Sequence, residues 1–183
     1  MTTTAQLHSG SDPDLDPDSY KQAFRRYPAG VVVITLDSGV GPVGFTATSL
    51  TSLSLDPPLV SFGISSNAST WAHLRQASTA VVNFLGAHQE QVARRFATSG
   101  IDRFAEPTRW QRLATGEPVL DDVPGWLRTR VESLIPAGDH RIVVAHVVTA
   151  TLSARHPPLI YHDGHYASVG RHRPPDIDGR YYD

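Results

Sequence analysis

Residues 44–60 read GFTATSLTSLSLDPPLV, a stretch rich in serine, threonine and leucine. The ten residues from Thr46 to Leu55 carry six hydroxyl side chains, interleaved with alanine and leucine. Because each hydroxyl both donates and accepts hydrogen bonds, a row of them on an extended backbone can bind a flat polar ligand or a phosphate without carrying charge. Pro57-Pro58 ends the segment, and an apolar run follows it. By spacing alone, the pattern favours a Ser/Thr-rich strand with one solvated face.

Strands dominate the rest of the chain. Val31 to Leu36 is an unbroken, largely β-branched run, which is typical of a buried strand. Asp163-Gly164, inside residues 159–166, is a strong hairpin turn. Further strands are predicted at residues 79–85, 127–134 and 141–152. Many strands with few, short helices predict a mainly β fold, built as a closed or partly closed antiparallel barrel.

The first of three predicted helices begins at Pro17 with Asp16 as its cap. Its aromatic residues Tyr20, Phe24 and Tyr27 share one face, as an amphipathic helix requires.

A second, short helix carries Trp71 and Leu74, and either Ser66 or Asn67 is the predicted cap. A third helix is predicted over residues 88–97. Its inward-facing residues are Val92 and Phe96. Residues 98–126 are punctuated by proline and glycine and are predicted to be irregular.

Length and composition limit the possible functions. The chain has 183 residues, and we expect one globular domain over residues 17–170. Residues 1–16 and 171–183 are expected to be polar, disordered tails. In the second tail, Tyr181 and Tyr182 could still dock on a neighbouring surface. The net charge of −2 argues against a nucleic acid or an anionic lipid as partner. The absence of cysteine excludes disulfides, thiolate nucleophiles and cysteine metal sites. No apolar stretch reaches membrane-spanning length and no secretory signal is recognised, so we expect a cytoplasmic protein.

A glycine pattern at residues 39–44 matches G-x-G-x-x-G. A dinucleotide fold requires a helix after these glycines, whereas here residues rich in threonine and serine follow, and Pro42 lies inside the motif. We therefore interpret the pattern as a hairpin between antiparallel strands.

Residues 44–60 and three later motifs, taken in order, resemble the flavin reductase family, whose fold is the FMN-binding split barrel. The later motifs are Ser69-Thr70-Trp71, Asp102-Arg103-Phe104 and Ala137-Gly138-Asp139-His140. The resemblance extends from about Phe24 to Val169. It implies an antiparallel split β-barrel with a few short flanking helices.

The resemblance also implies that the hydroxyl-rich segment lines the isoalloxazine ring and ribityl chain of a flavin. The residues implicated are Thr46, Ala47, Thr48 and Ser49. Hydroxyls and backbone N–H groups can satisfy the polar atoms of the ring and tune its potential. Ser61 and Gly63, on the following strand, would run close to the ring, and core packing is the alternative for both.

The flavin phosphate is expected at the start of the second helix, where free N–H groups bind anions. The candidates are Ser66, Asn67, Ser69 and Thr70. Simple helix capping is the alternative. Arg103 can add a positive charge for the phosphate, or it can be an ordinary exposed loop arginine.

In the family that this chain resembles, the Gly-Asp-His element lies beside the flavin and its histidine contributes to nicotinamide binding. His140 would thus position NADH, and Asp139 would orient the imidazole. Tyr166 falls where an aromatic residue often lies near the site, although hairpin packing also explains it. The pair His162 and His165 has metal-like spacing, but an Asp-Gly turn separates them, and no metal site is expected.

The function implied by the resemblance is an NAD(P)H:flavin oxidoreductase, a homodimer that passes reduced FMN or FAD to a separate monooxygenase. NADH is favoured over NADPH because no arginine cluster marks a 2′-phosphate site. Two alternatives stay open: a flavin-binding carrier or sensor with little NADH activity, and a reductase with fixed flavin that acts on another acceptor.

Overall fold

The computed structural model of this protein describes residues 14–153 and 156–170. The strands are β1 (Ala29–Gly30), β2 (Val32–Asp37), β3 (Pro42–Ala47), β4 (Thr51–Ser54), β5 (Leu59–Ser65), β6 (Thr79–Phe84), β7 (Trp110–Arg112), β8 (Pro118–Leu120), β9 (Gly125–Ala137), β10 (His140–Leu152), β11 (Leu159–His162) and β12 (His165–Ser168). The helices are α1 (Pro17–Arg25), α2 (Trp71–Leu74) and α3 (Glu90–Ala97), and a 3-10 turn at Ala87–Gln89 precedes α3. The predicted mainly β class is confirmed.

Seven antiparallel strands form the main sheet in the order β3-β2-β6-β9-β10-β5-β4. Its longest members, β9 and β10, form a hairpin that turns at Gly138-Asp139. A smaller sheet has the order β1-β11-β12, and β7 pairs with β8. The predicted Asp163-Gly164 hairpin is present between β11 and β12, with both turn residues at positive φ.

The main sheet curls so that its two edges approach each other without a shared ladder in the described part of the chain. The edge strands β3 and β4 are consecutive in the sequence, and residues 48–50 cross from one edge to the other. Phe45 of β3 and Phe62 of β5 meet inside, with ring centroids 6.3 Å apart. The result is the split antiparallel barrel that the sequence predicted.

Alternating side chains of β2 serve two hydrophobic cores, as the twofold period of a strand requires. Val32, Ile34 and Leu36 point into the barrel, where they pack with Phe62 and other buried residues. Val31 and Val33 point to the opposite side, into a second core. That second core also contains Leu85, Phe96, Phe104, Leu120 and Leu159. The predicted run is therefore buried along its whole length because both of its faces are covered, and the hydroxyl of its one polar residue, Thr35, donates to the carbonyl oxygen of Pro118.

Helix α1 begins as predicted, because the Asp16 carboxylate accepts hydrogen bonds from the backbone N–H groups of Asp18 and Ser19. The predicted aromatic face is formed, and the rings of Tyr20 and Phe24 lie 4.7 Å apart. This face is nonetheless more than half exposed at each aromatic residue.

Three predictions of local structure need correction. Residues 98–126 contain the β7–β8 hairpin and are not wholly irregular. Strand β9 starts at Gly125, two residues before its predicted start. Helix α3 begins at Glu90, two residues after its predicted start; its predicted inward residues Val92 and Phe96 both pack on the second core, where Ala93 is buried as well.

The glycine pattern at residues 39–44 forms the turn of the antiparallel β2–β3 hairpin, as predicted, and Gly39 has a φ of 81°. Among the described residues, no helix is long and apolar enough to cross a membrane. The predicted tails lie outside the described residues, apart from positions 14–16.

Candidate functional site

The hydroxyl-rich stretch of residues 46–55 lies at the split of the barrel. The sequence suggested one extended row of hydroxyls, but the structure divides the stretch. Thr46 and Ala47 end β3, Thr48 and Ser49 lie in the bend that crosses between the edges, and residues 51–54 form β4. Strand β3 pairs with β2 only, so its other edge leaves backbone groups without a strand partner. The split therefore combines hydroxyls with backbone groups that have no strand partner, although one of them, the carbonyl oxygen of Gly44, accepts from Arg103 and Thr70.

Ser49 joins the two edges of the split. Its Oγ accepts a hydrogen bond of 2.8 Å from the backbone N–H of Gly63 on β5. A Cβ on Gly63 would lie 3.4 Å from that oxygen, so glycine gives the serine room to approach. Ser61 and Gly63 share the outward face of β5, opposite the buried Phe62 and Val60. Thus neither is part of the barrel core, and the core-packing alternative does not describe them.

The four residues predicted to line a flavin differ in what they offer. The side chain of Thr46 is engaged, because its Oγ1 donates to the carbonyl oxygen of Ala93 in α3 at 2.7 Å. Ala47 is buried, so it contributes shape and backbone. Thr48 and Ser49 are exposed in the bend. The accessible hydroxyls of this segment are therefore those of the bend.

The turn between β5 and α2 holds the predicted phosphate ligands. The cap prediction was wrong: Thr70 precedes α2, and its side chain makes no capping hydrogen bond. Asn67 and Ser69 are exposed, whereas the Oγ of Ser66 is buried with no hydrogen-bond partner among the described residues. Since α2 has only four residues, its dipole is weak, and any anion here must rely on the turn itself.

The Gly138-Asp139-His140 turn lies directly against this segment. His140 pairs with Ser65 across the β10–β5 ladder, and the backbone N–H of Ser66 donates to the carbonyl oxygen of Asp139 at 2.9 Å. Two motifs that are 72 residues apart in the sequence, Ser66-Asn67 and Gly138-Asp139, therefore meet in space.

Asp139 holds the imidazole of His140 as the sequence predicted. Oδ1 of Asp139 lies 2.8 Å from Nδ1 of His140. The hydrogen bond from His140 lowers the pKa of the Asp139 carboxyl. Because an ionised carboxylate only accepts hydrogen bonds, Nδ1 carries the hydrogen, which leaves Nε2 of a neutral ring as an acceptor. About half of the histidine side chain is exposed, at 52%.

Arg103 lies at the site, and two of its three side-chain nitrogens donate hydrogen bonds to backbone carbonyl oxygens. Its Nη1 donates to the carbonyl oxygen of Gly44 at 3.0 Å, and its Nε donates to that of Thr98 at 3.0 Å. Nη1 also lies 3.4 Å from Oγ1 of Thr70. Burial lowers the pKa of the guanidinium, which still stays charged at neutral pH. Arg103 therefore fastens its loop to β3 and is not the exposed arginine of the alternative.

Tyr166 lies on β12, in the smaller sheet. Its ring packs 5.2 Å from that of Tyr161 and lies under the guanidinium of Arg94 at 5.0 Å. Burial raises the pKa of its hydroxyl, against the opposing charge of Arg94. These contacts fit the hairpin-packing alternative, and a role for Tyr166 in binding stays a prediction.

Arg141 was not singled out from the sequence. Its guanidinium lies 5.8 Å from the ring centroid of Trp71 at the start of α2, and Nη1 donates to the carbonyl oxygen of His140. A cation thus lies between the predicted phosphate turn and the predicted nicotinamide residue. The sequence offered one indication of a role for Arg141, namely its position directly after His140.

One cavity opens at this part of the split, with a volume of about 190 Å³. Its lining includes Gly44, Ser69, Thr70, His73 and Arg103. Pockets for drug-sized ligands generally enclose about 300–1,000 Å³. The cavity is therefore smaller than a pocket that encloses such a ligand.

Residues 24–170 match the sequence model of the flavin reductase like domain. This chain belongs to the flavin reductase family. Among its relatives is the NADH:FMN oxidoreductase of Rhodococcus qingshengii, which is 50% identical over 170 residues, 91% of this chain and 86% of the relative.

Solved flavin reductases share the fold as well. The NADH:FAD oxidoreductase SgcE6 of Streptomyces globisporus C-1027, in complex with NAD and FAD fragments, superposes with a TM-score of 0.80 at 31% identity, covering 88% of this chain and 99% of SgcE6. BorF, the flavin reductase component of a bacterial two-component tryptophan halogenase, has a TM-score of 0.78 at 32% identity, covering 86% of this chain and 100% of BorF. The predicted family and its split-barrel fold are confirmed.

Proposed function

We propose that this flavin reductase oxidises NADH, reduces FMN or FAD, and releases the reduced flavin to a separate flavin-dependent monooxygenase. The relatives named above carry out or serve reactions of this class, and the chain spans most of each of them. The observation that carries the proposal is the meeting of Ser65-Ser66 with Asp139-His140 at an open split of the barrel. This arrangement sets a candidate flavin segment beside a candidate nicotinamide residue.

The split suits the flavin in chemical terms. The ring of a flavin presents several hydrogen-bonding atoms on one flat edge, and the exposed bend at Thr48-Ser49 and the free edge of β3 offer matching donors and acceptors. When bound, the flavin supplies the hydride acceptor. The task of the protein in this proposal is to orient donor and acceptor and to exclude water.

The phosphate, in this proposal, binds at residues 67–70, where Asn67 and Ser69 are exposed. Arg141 and Arg103 both supply positive charge nearby, because the hydrogen bonds of Arg103 to the carbonyl oxygens of Gly44 and Thr98 do not neutralise its guanidinium. Ser66 contributes through its backbone contact with Asp139 and not through its buried hydroxyl.

His140 positions the nicotinamide. With Nδ1 engaged by Asp139, Nε2 is the ring atom free to accept a hydrogen bond, and the carboxamide of NADH offers a donor of the right kind. Hydride transfer itself needs no general acid or base from the protein.

A second copy of this chain completes the site in our proposal. Ile135 and Ile142 lie opposite each other on β9 and β10, with 46% and 39% of their surfaces exposed. Ile142 also pairs with Gly63, which binds Ser49 at the split. A partner that covers this apolar pair therefore lies near the contact between Ser49 and Gly63 at the split. A homodimer of this kind would enclose what one chain leaves open.

The test is oxidation of NADH by the purified protein, followed by the loss of nicotinamide absorbance, with and without added FMN or FAD. Turnover that requires added flavin and saturates with it would support the proposal. Flavin binding without NADH oxidation would overturn it in favour of a carrier or sensor. Turnover without added flavin would also overturn release of the flavin, and the search would move to another final acceptor.

A further inference from the structure

A second cluster of chemically active side chains lies at the other end of the long β9–β10 hairpin. It consists of His88 in the 3-10 turn, Asp122 before β9, and His156 before β11. Their potential ligand atoms all lie within 4.8 Å of one another. Among the described residues, this is the single group of three side chains placed so that they could bind one metal ion. None of the three belongs to the candidate flavin site.

Both histidines turn the same ring atom towards the same carboxylate. Nε2 of His88 lies 3.0 Å from Oδ2 of Asp122, and Nε2 of His156 lies 3.9 Å from Oδ1. The two imidazoles are neighbours, with centroids 4.6 Å apart. Two neutral imidazole nitrogens and one carboxylate oxygen form a donor set suited to a borderline divalent cation such as Zn²⁺.

Backbone hydrogen bonds hold the three segments together independently of any ion. The N–H of Ala87 donates to the carbonyl oxygen of Pro157 at 2.8 Å, which brings the first histidine beside the second. Nε2 of Gln89 donates to the carbonyl oxygen of Asp121 at 3.0 Å, which secures the segment that carries the carboxylate. The ligand set is therefore preorganised.

Gly86 leaves the room that this packing needs. A Cβ at Gly86 would lie 2.6 Å from Cε1 of His88 and 3.2 Å from Cβ of His156. Asp122 has a φ of 58°, in the left-handed region that aspartate and asparagine tolerate better than most residues. The backbone thus favours small or adaptable residues just where the three side chains converge.

We propose that His88, Asp122 and His156 bind one divalent transition-metal ion, with Zn²⁺ as the probe, and that the ion fastens the 3-10 turn to the loops before β9 and β11. An open coordination position remains for water, since two of the three residues are exposed. Strand β9 spans 13 residues between this cluster and the Gly138 turn, a length of roughly 40 Å at about 3.3 Å per residue. The ion therefore stabilises the fold without competing for the flavin site.

The test uses untagged full-length protein, stripped with a chelator and titrated with Co²⁺, whose visible absorption reports coordination. We expect one Co²⁺ per chain, displaced by Zn²⁺, and a rise in Tm on the order of 5–10 °C when Zn²⁺ is at about 100 times its Kd. His156→Ala and Asp122→Asn should abolish both effects, and the second variant keeps a residue that tolerates the left-handed backbone.

His162→Ala is the matched control, because it removes an exposed histidine from the β11–β12 hairpin. This variant should keep the Co²⁺ spectrum and the Tm rise. Absence of a Co²⁺ spectrum in the natural protein would overturn the proposal, as would a spectrum unchanged in both His156→Ala and Asp122→Asn. NADH oxidation with added flavin should be the same in all variants.

Discussion

Hydrogen-bond partners set the protonation state of two acidic residues in this flavin reductase, Asp139 and Glu117. Asp139 fixes the hydrogen of His140 on Nδ1, and the proposed contact with nicotinamide depends on that choice. Glu117 is only 3% exposed and is bound by Arg128 at 2.8 Å. The first pair is exposed and has a proposed role in binding, whereas the second is largely buried and should contribute to stability.

His140→Ala should raise the KM for NADH about tenfold, which corresponds to the loss of one hydrogen bond of about 1.4 kcal/mol. The Kd of FMN should change little, because the flavin segment lies on other strands. Steady-state kinetics and fluorescence titration measure the two quantities. His162→Ala is the control, and unchanged NADH kinetics in His140→Ala would remove His140 from the site.

The pH dependence of folding should carry a contribution from Glu117. Burial alone would raise the pKa of its carboxyl, but hydrogen bonds from Arg128, Thr115 and Thr79 outweigh burial and lower the pKa from 4.5 to about 2. Because the folded value lies below the unfolded one, the ionised group stabilises the fold at neutral pH. This stabilisation is lost as the pH falls from about 5 to about 2 and amounts to about 3 kcal/mol.

Glu117→Gln should therefore lower the free energy of unfolding at neutral pH and flatten its decline in acid. Urea unfolding followed across this pH range measures both effects. Glu132→Gln serves as control, since its carboxylate pairs with Arg130 in an exposed position, where ion pairs contribute little. A variant with the same acid profile as the natural protein would contradict the assignment.

At the scale of elements, Asn83 couples the β7–β8 hairpin to the barrel. Its Oδ1 accepts from the N–H of Leu120, and its Nδ2 donates to the carbonyl oxygen of Val33 and to Oγ1 of Thr35. Thr35 in turn donates to the carbonyl oxygen of Pro118. These groups are buried, so the network satisfies polar atoms that water cannot reach.

Asn83→Ala should destabilise the fold by about 3 kcal/mol, because it leaves several buried polar groups without partners. The free energy of unfolding in urea measures the loss. Gln91→Ala, on the exposed side of α3, should change stability by less than about 0.5 kcal/mol. An equal effect of the two substitutions would show that the network contributes nothing specific.

At the scale of the whole molecule, the exposed pair Ile135 and Ile142 carries the proposal of a homodimer. Ile142→Asp should disrupt the proposed dimer, since a charge buried in an apolar interface is strongly unfavourable. We expect light scattering to report half the mass of the natural protein, together with a weaker affinity for FMN.

Val40→Asp is the matched control for this substitution. Val40 is 91% exposed at the tip of the β2–β3 hairpin, so a charge there should leave mass and affinity unchanged. A natural protein that is monomeric, or an Ile142→Asp protein that stays dimeric, would contradict the proposed interface.

Local patterns and ordered motifs were enough to predict the strands of alternating or continuous apolar residues, the Asp16 cap, the Asp163-Gly164 turn and the family. These features depend on residues close together in the chain, where periodicity and turn preferences act. The tertiary structure alone decided that the hydroxyl-rich stretch divides between the two edges of a split, that Thr46 turns to α3, and that Ser66 meets Asp139. Strand order and register set these contacts, and both depend on the packing of residues far apart in sequence.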